Sequence, residues 1–152
     1  MADWFDIALV FDPETRTGDL ALGPDGDLLI DETPLTPMLI SLGSDRRAHP
    51  DDDLPTGVDA LNASSSLVTR RGWAGDALDP FGRRIGSRLW LLDREKQDEL
   101  TRLFVEDIAR EALRWVAVET GTAAGITVSW LRRGVLALTA RVADTELELP
   151  VA

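Results

Sequence analysis

Three short apolar runs separated by two tight turns close the chain, and they constrain the fold more than any other feature. Ile126-Thr127-Val128-Ser129-Trp130-Leu131 is followed by Arg132-Arg133-Gly134, and the chain returns through residues 135–142. Ala143-Asp144-Thr145 turns again into Glu146-Leu147-Glu148-Leu149, which alternates strictly. Alternation with a period of two places every second side chain on one face of a strand. Turns this short join antiparallel neighbours. The chain must therefore end in an antiparallel hairpin or three-stranded sheet whose apolar face needs cover.

Helices can supply that cover. Leu100, Leu103, Phe104, Ile108, Ala112 and Trp115 recur at helical spacing. They predict one helix over about 98–118 with a single apolar stripe, stopped by Gly121. Thr36 and Pro37 predict the cap and first turn of an earlier helix through Met38-Leu39-Ile40-Ser41-Leu42, with Asp45-Arg46-Arg47 near its end. Ser87 predicts a cap for a short helix through Leu89-Trp90-Leu91-Leu92. At the start, Ile7-Ala8-Leu9-Val10-Phe11 reads as a buried strand. Asp12-Pro13-Glu14-Thr15 and Pro24-Asp25-Gly26-Asp27 are turn signals. Leu20 and Leu22 lie between them on a strand with one buried face, and Leu28-Leu29-Ile30 follows, completing a β-meander. The order βββ–α–loop–αα–βββ predicts an α+β fold. A chain of 152 residues suits one domain over 1–152. A long flexible loop is expected at about 48–67, where His49-Pro50-Asp51-Asp52-Asp53 and Asn62-Ala63-Ser64-Ser65-Ser66 have loop composition.

The formal net charge of −11 argues against a free-standing nucleic-acid binder, since phosphate backbones attract basic faces. The absence of cysteine rules out disulfides and thiolate metal sites. No apolar run is long enough for a membrane helix, and the first residues carry no classical signal peptide.

No catalytic, cofactor or metal constellation stands out. Glu95, Glu99, Glu106 and Asp107 could be offered as a glycosidase pair, which needs one carboxyl with a raised pKa. They sit beside Arg94, Lys96, Arg102 and Arg110, and at helical spacing these read as surface ion pairs. Asp51-Asp52-Asp53 lacks the calcium-loop pattern. The single His49 cannot make a multi-histidine site. Ser64-Ser65-Ser66 lacks a nucleophile elbow.

The densest cluster of unusual residues lies at 70–92. It holds Arg70, Arg71, Gly72, Trp73, Gly75 and Asp76, then Arg83, Arg84, Gly86, Arg88 and Trp90. With Arg46 and Arg47, these arginines suit bidentate pairing with carboxylates. Arg46, Arg47, Arg70, Arg71, Gly72, Trp73, Gly75, Asp76, Arg88 and Trp90 are therefore candidate structural or interface residues, with Trp73 and Trp90 as anchors.

The opening run from Asp6 to Thr15 resembles the Mu-like phage tail protein family, the gene-product-forty-six family of the Mu baseplate. So do Leu39-Ile40-Ser41-Leu42 with Asp45-Arg46-Arg47-Ala48, the Arg70–Asp76 run, and residues 86–92. The terminal hairpin and the helix before it match in order. The sequence departs from the family at Ala74, where members often carry a second tryptophan, and in a longer loop from Asp51 to Ser66. The resemblance implies a non-enzymatic subunit of a contractile-tail baseplate, similar to the small wedge or sheath-initiator protein of T-even phages. It implies roughly six copies per ring, with partners among wedge subunits, tube or hub and sheath. It implies neither nucleic acid nor membrane as a partner, no cofactor, and assembly in the host cytoplasm into the virion tail. The hairpin at 126–142 would be its sheet-edge element. The alternative is a baseplate-associated muralytic glycosidase.

Overall fold

The structure, a computed structural model, describes residues 4–12, 14, 15, 17–59, 61–93 and 97–151. The fold is α+β. The chain opens with two small antiparallel ribbons, β1 (Asp6–Ile7) paired with β4 (Ile30–Asp31) and β2 (Leu9–Asp12) paired with β3 (Thr17–Leu20). The Asp12 carboxylate shapes the first turn by accepting from the Glu14 amide and the Thr15 hydroxyl. Pro13, part of that turn signal, lies outside the described residues. Ala8 breaks the first strand: its amide donates to Leu29 and its carbonyl accepts from Ala21. Leu9 and Phe11 pack against the core. Ile7 and Val10 do not, and Leu20 and Leu22 are also exposed. The 7–11 run is therefore buried on one side only, through Ala8, Leu9 and Phe11, and the expected buried face at Leu20 and Leu22 is open to solvent.

α1 (Leu35–Gly43) is not capped by Thr36 as expected. Asp31 takes that role, accepting from the Thr36 amide at 2.9 Å and from Thr33. Thr36 is buried and its hydroxyl accepts from the Leu9 amide. One threonine thus joins arm to helix. Past α1, residues 44–48 run extended, and the described residues of 49–66 contain neither helix nor strand. α2 (Leu67–Arg70) is one turn, capped by the Ser66 hydroxyl. Short 3-10 turns follow at Ala74–Leu78 and Leu89–Leu92. The Ser87 hydroxyl oxygen accepts from the Leu89 amide at the start of the second of these, at a long 3.5 Å. The same hydroxyl donates to the Leu42 carbonyl at 2.8 Å, and the Ser87 backbone bridges Asp45.

The predicted long helix is two helices, α3 (Glu99–Ala112) and α4 (Arg114–Thr120), broken at Leu113. Asp98 caps α3 through the Thr101 amide. The buried face of α3 is Thr101, Val105, Ile108, Ala109 and Ala112, while Leu100, Leu103 and Phe104 are exposed. The apolar residues of this helix therefore form two stripes rather than one. The narrow, small-residue stripe lets α3 sit closely on the sheet.

That sheet is β5 (Gly125–Arg132), β6 (Val135–Val142) and β7 (Thr145–Val151) in the order β5–β6–β7, all antiparallel. Leu147, Leu149 and Val151 are buried while Glu146 and Glu148 are exposed, as the strict alternation requires. α1 packs on β7, and α3 on β5 and β6. Met38, Leu39 and Leu42 of α1 join Val105, Leu113, Val116, Leu136 and Leu138 in one core. A smaller core of Ala48, Leu54 and Trp90 sits beside it.

The two-stripe reading of α3 has a direct check. Ile108→Ala should destabilise the chain by about 3 kcal/mol, the usual cost of emptying a core position. Phe104→Ala, on the same predicted stripe, should cost under about 1 kcal/mol. Urea unfolding of both variants measures the difference.

Candidate functional site

Residues 44–48 form an extended strap clasped from two sides. On one side Arg46 donates its amide to Ser87, and Ser87 donates to the Ser44 carbonyl at 2.9 Å. On the other, the Ala48 amide donates to Arg70. Glycines allow both approaches. Gly86 has φ of 89°, and a Cβ there would stand 2.5 Å from the Ser44 oxygen. Gly72 has φ of 97°, and its Cβ would stand 2.6 Å from that of Arg47. No side chain fits either position without moving backbone.

The clasp carries a chain of charge. Arg88 donates to both oxygens of Asp52 at 2.7 and 2.9 Å and to Glu111 of α3 at 2.8 Å. Arg46 pairs with the other Glu111 oxygen at 3.1 Å, and the His49 Nε2 lies 3.6 Å from it. Burial pushes the Glu111 carboxyl up, but hydrogen bonds and charge from Arg88, with Arg46 and His49 behind them, outweigh it and hold it below its ordinary value. Burial likewise works against the charged Arg88, and Glu111 and Asp52 override it, raising its pKa. Asp52 is therefore an ion-pair partner inside the fold rather than part of a solvated acidic run. Nothing in its sequence neighbourhood separates it from Asp51 and Asp53.

The other candidate arginines divide by partner. Arg70 is buried and donates to the carbonyls of His49 and Pro50, at 3.1 Å for the second. Arg47 donates to the Ser65 carbonyl. Both hold the 49–66 stretch by its backbone. Arg71, a non-glycine residue with φ of 50°, pairs with Asp45 at 2.8 Å and Asp93 at 3.9 Å. Its guanidinium lies 4.5 Å over the Trp90 ring. Such conformations persist where the surroundings over-determine them. Trp90 is 7% exposed and donates its indole N–H to the Arg46 carbonyl at 2.8 Å. Asp76 accepts from the Ile85 amide at 3.1 Å.

Trp73 faces outward instead. It is 58% exposed, and its ring lies so close to Gly75 that a Cβ there would clash with it. Leu78 and Phe81, which the sequence reading did not single out, are exposed on the same segment. A sulfur-free cleft of about 530 Å³ opens beside Arg71, lined by Leu42, Asp45, Trp90, Leu149 and Val151. Of its polar lining groups, Arg71 pairs with Asp45 and Asp93, and the Ser87 hydroxyl donates to the Leu42 carbonyl.

Of the carboxylates proposed for glycosidase chemistry, Glu99 and Glu106 are held as anions. Glu99 is lowered by its hydrogen bond to Arg102, and Glu106 by Arg110 first and Arg102 second. A general acid needs the opposite shift. Glu95, Arg94 and Lys96 lie outside the described residues.

Two outcomes test this geometry. Trp90→Ala should destabilise the isolated chain by about 3 kcal/mol and Trp73→Ala by under about 1 kcal/mol, as read by thermal melts. Glu111→Gln should cost about 2 kcal/mol at neutral pH, between exposed and fully buried pairs. Because the folded pKa of Glu111 is depressed, its contribution is complete above its ordinary value of 4.5 and is lost as pH falls through the lowered value. The gap between wild type and variant should therefore close on acidification below about pH 4.5 and stay open at pH 7.

Residues 34–148 match the family described as Phage protein GP46. The chain is 42% identical over 112 residues to the baseplate protein gp46 of Escherichia phage Mu, covering 73% of this chain and 67% of that protein. It is 31% identical over 123 residues to the Mu-like prophage FluMu protein gp46 of Haemophilus influenzae, covering 81% and 73%. No solved structure gives a significant match.

Proposed function

The chain belongs to the phage GP46 family, and from that premise we propose that it is a structural, non-enzymatic subunit of a phage-tail baseplate. The observation that carries this reading is the 42% identity to a relative named as a baseplate protein. Exposed Trp73, Leu78 and Phe81 on the 71–85 segment support it. Large apolar side chains gathered on a surface mark contact sites, and tryptophan anchors are frequent at their centres.

The finer reading is a wedge or sheath-initiator subunit of a contractile tail. Its partners would be neighbouring wedge subunits, the tube or hub and the sheath, in a ring of roughly six copies. In this reading the strap and its charge chain fix the shape of the 70–92 segment, and that segment presents its outer residues to partners. Neither nucleic acid nor lipid is required. Among the described residues no helix is long and apolar enough to cross a membrane. The subunit would assemble in the host cytoplasm and reside in the virion tail.

Co-expression with the tail proteins encoded beside it tests the proposal. The wild-type chain should co-purify with at least one of them. Trp73→Ala with Phe81→Ala should weaken capture about tenfold or more, within the range of losing an interface anchor, while the melting temperature holds. Capture by none of these proteins, or cell-wall clearing that disappears in Glu106→Gln, would sink it.

A further inference from the structure

The charge of this chain is unevenly placed. Residues 1–32 hold nine carboxylates and one arginine, which is −8 of the total −11. The same stretch exposes Ile7, Val10, Leu20, Leu22, Leu28 and Ile30. Register places Ile7 opposite Ile30, and Leu22 opposite Leu28, so apolar pairs stand together on the ribbons. Asp6, Asp19, Asp25 and Asp27 are exposed around them. An apolar surface rimmed by carboxylates fits an apolar surface rimmed by cations.

The chain carries such a surface at the turn between β5 and β6. Trp130 and Leu131 are exposed there, Leu131 by 58%. Arg132 and Arg133 follow at once, both exposed, and neither has an ion-pair partner among the described residues. β5 is an edge strand, and its register shifts between Trp130 and Arg132, which presents this tip away from the ladder. The arm packs on α1, which packs on β7, whereas β5 is the other edge of the sheet.

We propose that the acidic apolar arm of one copy docks on the basic β5–β6 tip of the next copy, head to tail. Two different patches on one chain make a heterologous contact, which closes into a ring or extends as a filament. The contact deepens the assembly reading above and rests on it for the premise that copies meet.

Sedimentation velocity on the full chain, at low and high salt, tests it with two variants. Leu20→Ser with Leu22→Ser alters the arm, and Arg132→Glu with Arg133→Glu alters the tip. All four positions are exposed, so circular dichroism and melting should match wild type. Wild type should associate at high micromolar concentration, less strongly in high salt. Each variant alone should weaken association about tenfold or more. An equimolar mixture of the two should form a dimer and stop there, because one intact arm still meets one intact tip. A wild-type chain that stays monomeric would overturn the proposal, as would oligomers that survive either variant or a mixture that stays monomeric. If wild type is monomeric but the arm variant loses capture by a neighbouring tail protein, the arm's occupant is that protein, and the assembly reading stands while the self-contact fails.

Discussion

Between Asp52 and Glu111, the Arg88 guanidinium ties the 49–66 stretch, the 86–92 turn and α3 into one charged contact. Each of these pieces has a reason to need it. The described residues of the 49–66 stretch hold neither helix nor strand, and Leu54 and Ala63 join the smaller core. The 86–92 turn is held to the strap by backbone bonds at its start. α3 brings the Glu111 carboxylate to this contact, while Glu99, Arg102, Glu106 and Arg110 pair along the helix's own surface. A half-buried cation shared by two carboxylates is worth more than a surface pair because its partners cannot easily rehydrate. Arg46 completes the set from the strap itself.

Around that contact the molecule separates what holds shape from what faces outward. Arg70, Arg88 and Trp90 are turned in, and each is bonded to backbone or carboxylate from a distant part of the chain. Trp73, Leu78 and Phe81 are turned out on the segment between them. A rigid base beneath an apolar loop lowers the ordering cost of binding, since less freedom remains to be lost.

The C-terminal sheet was the most legible part of the sequence, because a period of two and short turns admit few alternatives. The α+β order was legible for the same reason. The misreadings share a cause. Leu100, Leu103 and Phe104 sit at helical spacing with Ile108, yet the sheet accepts the small-residue stripe of Ala109 and Ala112, and spacing alone cannot choose between two apolar stripes. The break at Leu113 leaves no proline or glycine as a marker. Asp31 displaced Thr36 as the cap from five residues away, beyond the local capping pattern. At the site, Gly72, Gly82 and Gly86 take positive φ. Asp52 and Glu111 could not be picked from the many acids of this chain, because their distinction is a partner that only the folded chain supplies.

The packing of α1 on β7 joins the first helix of the chain to its last strand. Roughly a hundred residues separate them, and at ribosomal speeds of about 5–20 residues per second α1 waits several seconds for its partner. Met38, Leu39 and Leu42 stay uncovered through that interval, and so does the underside of the arm. The domain thus acquires its central core only once β7 has been made. Until then the nascent chain lacks the strand that covers the apolar face of α1, and that face is open to chaperones and to early partners.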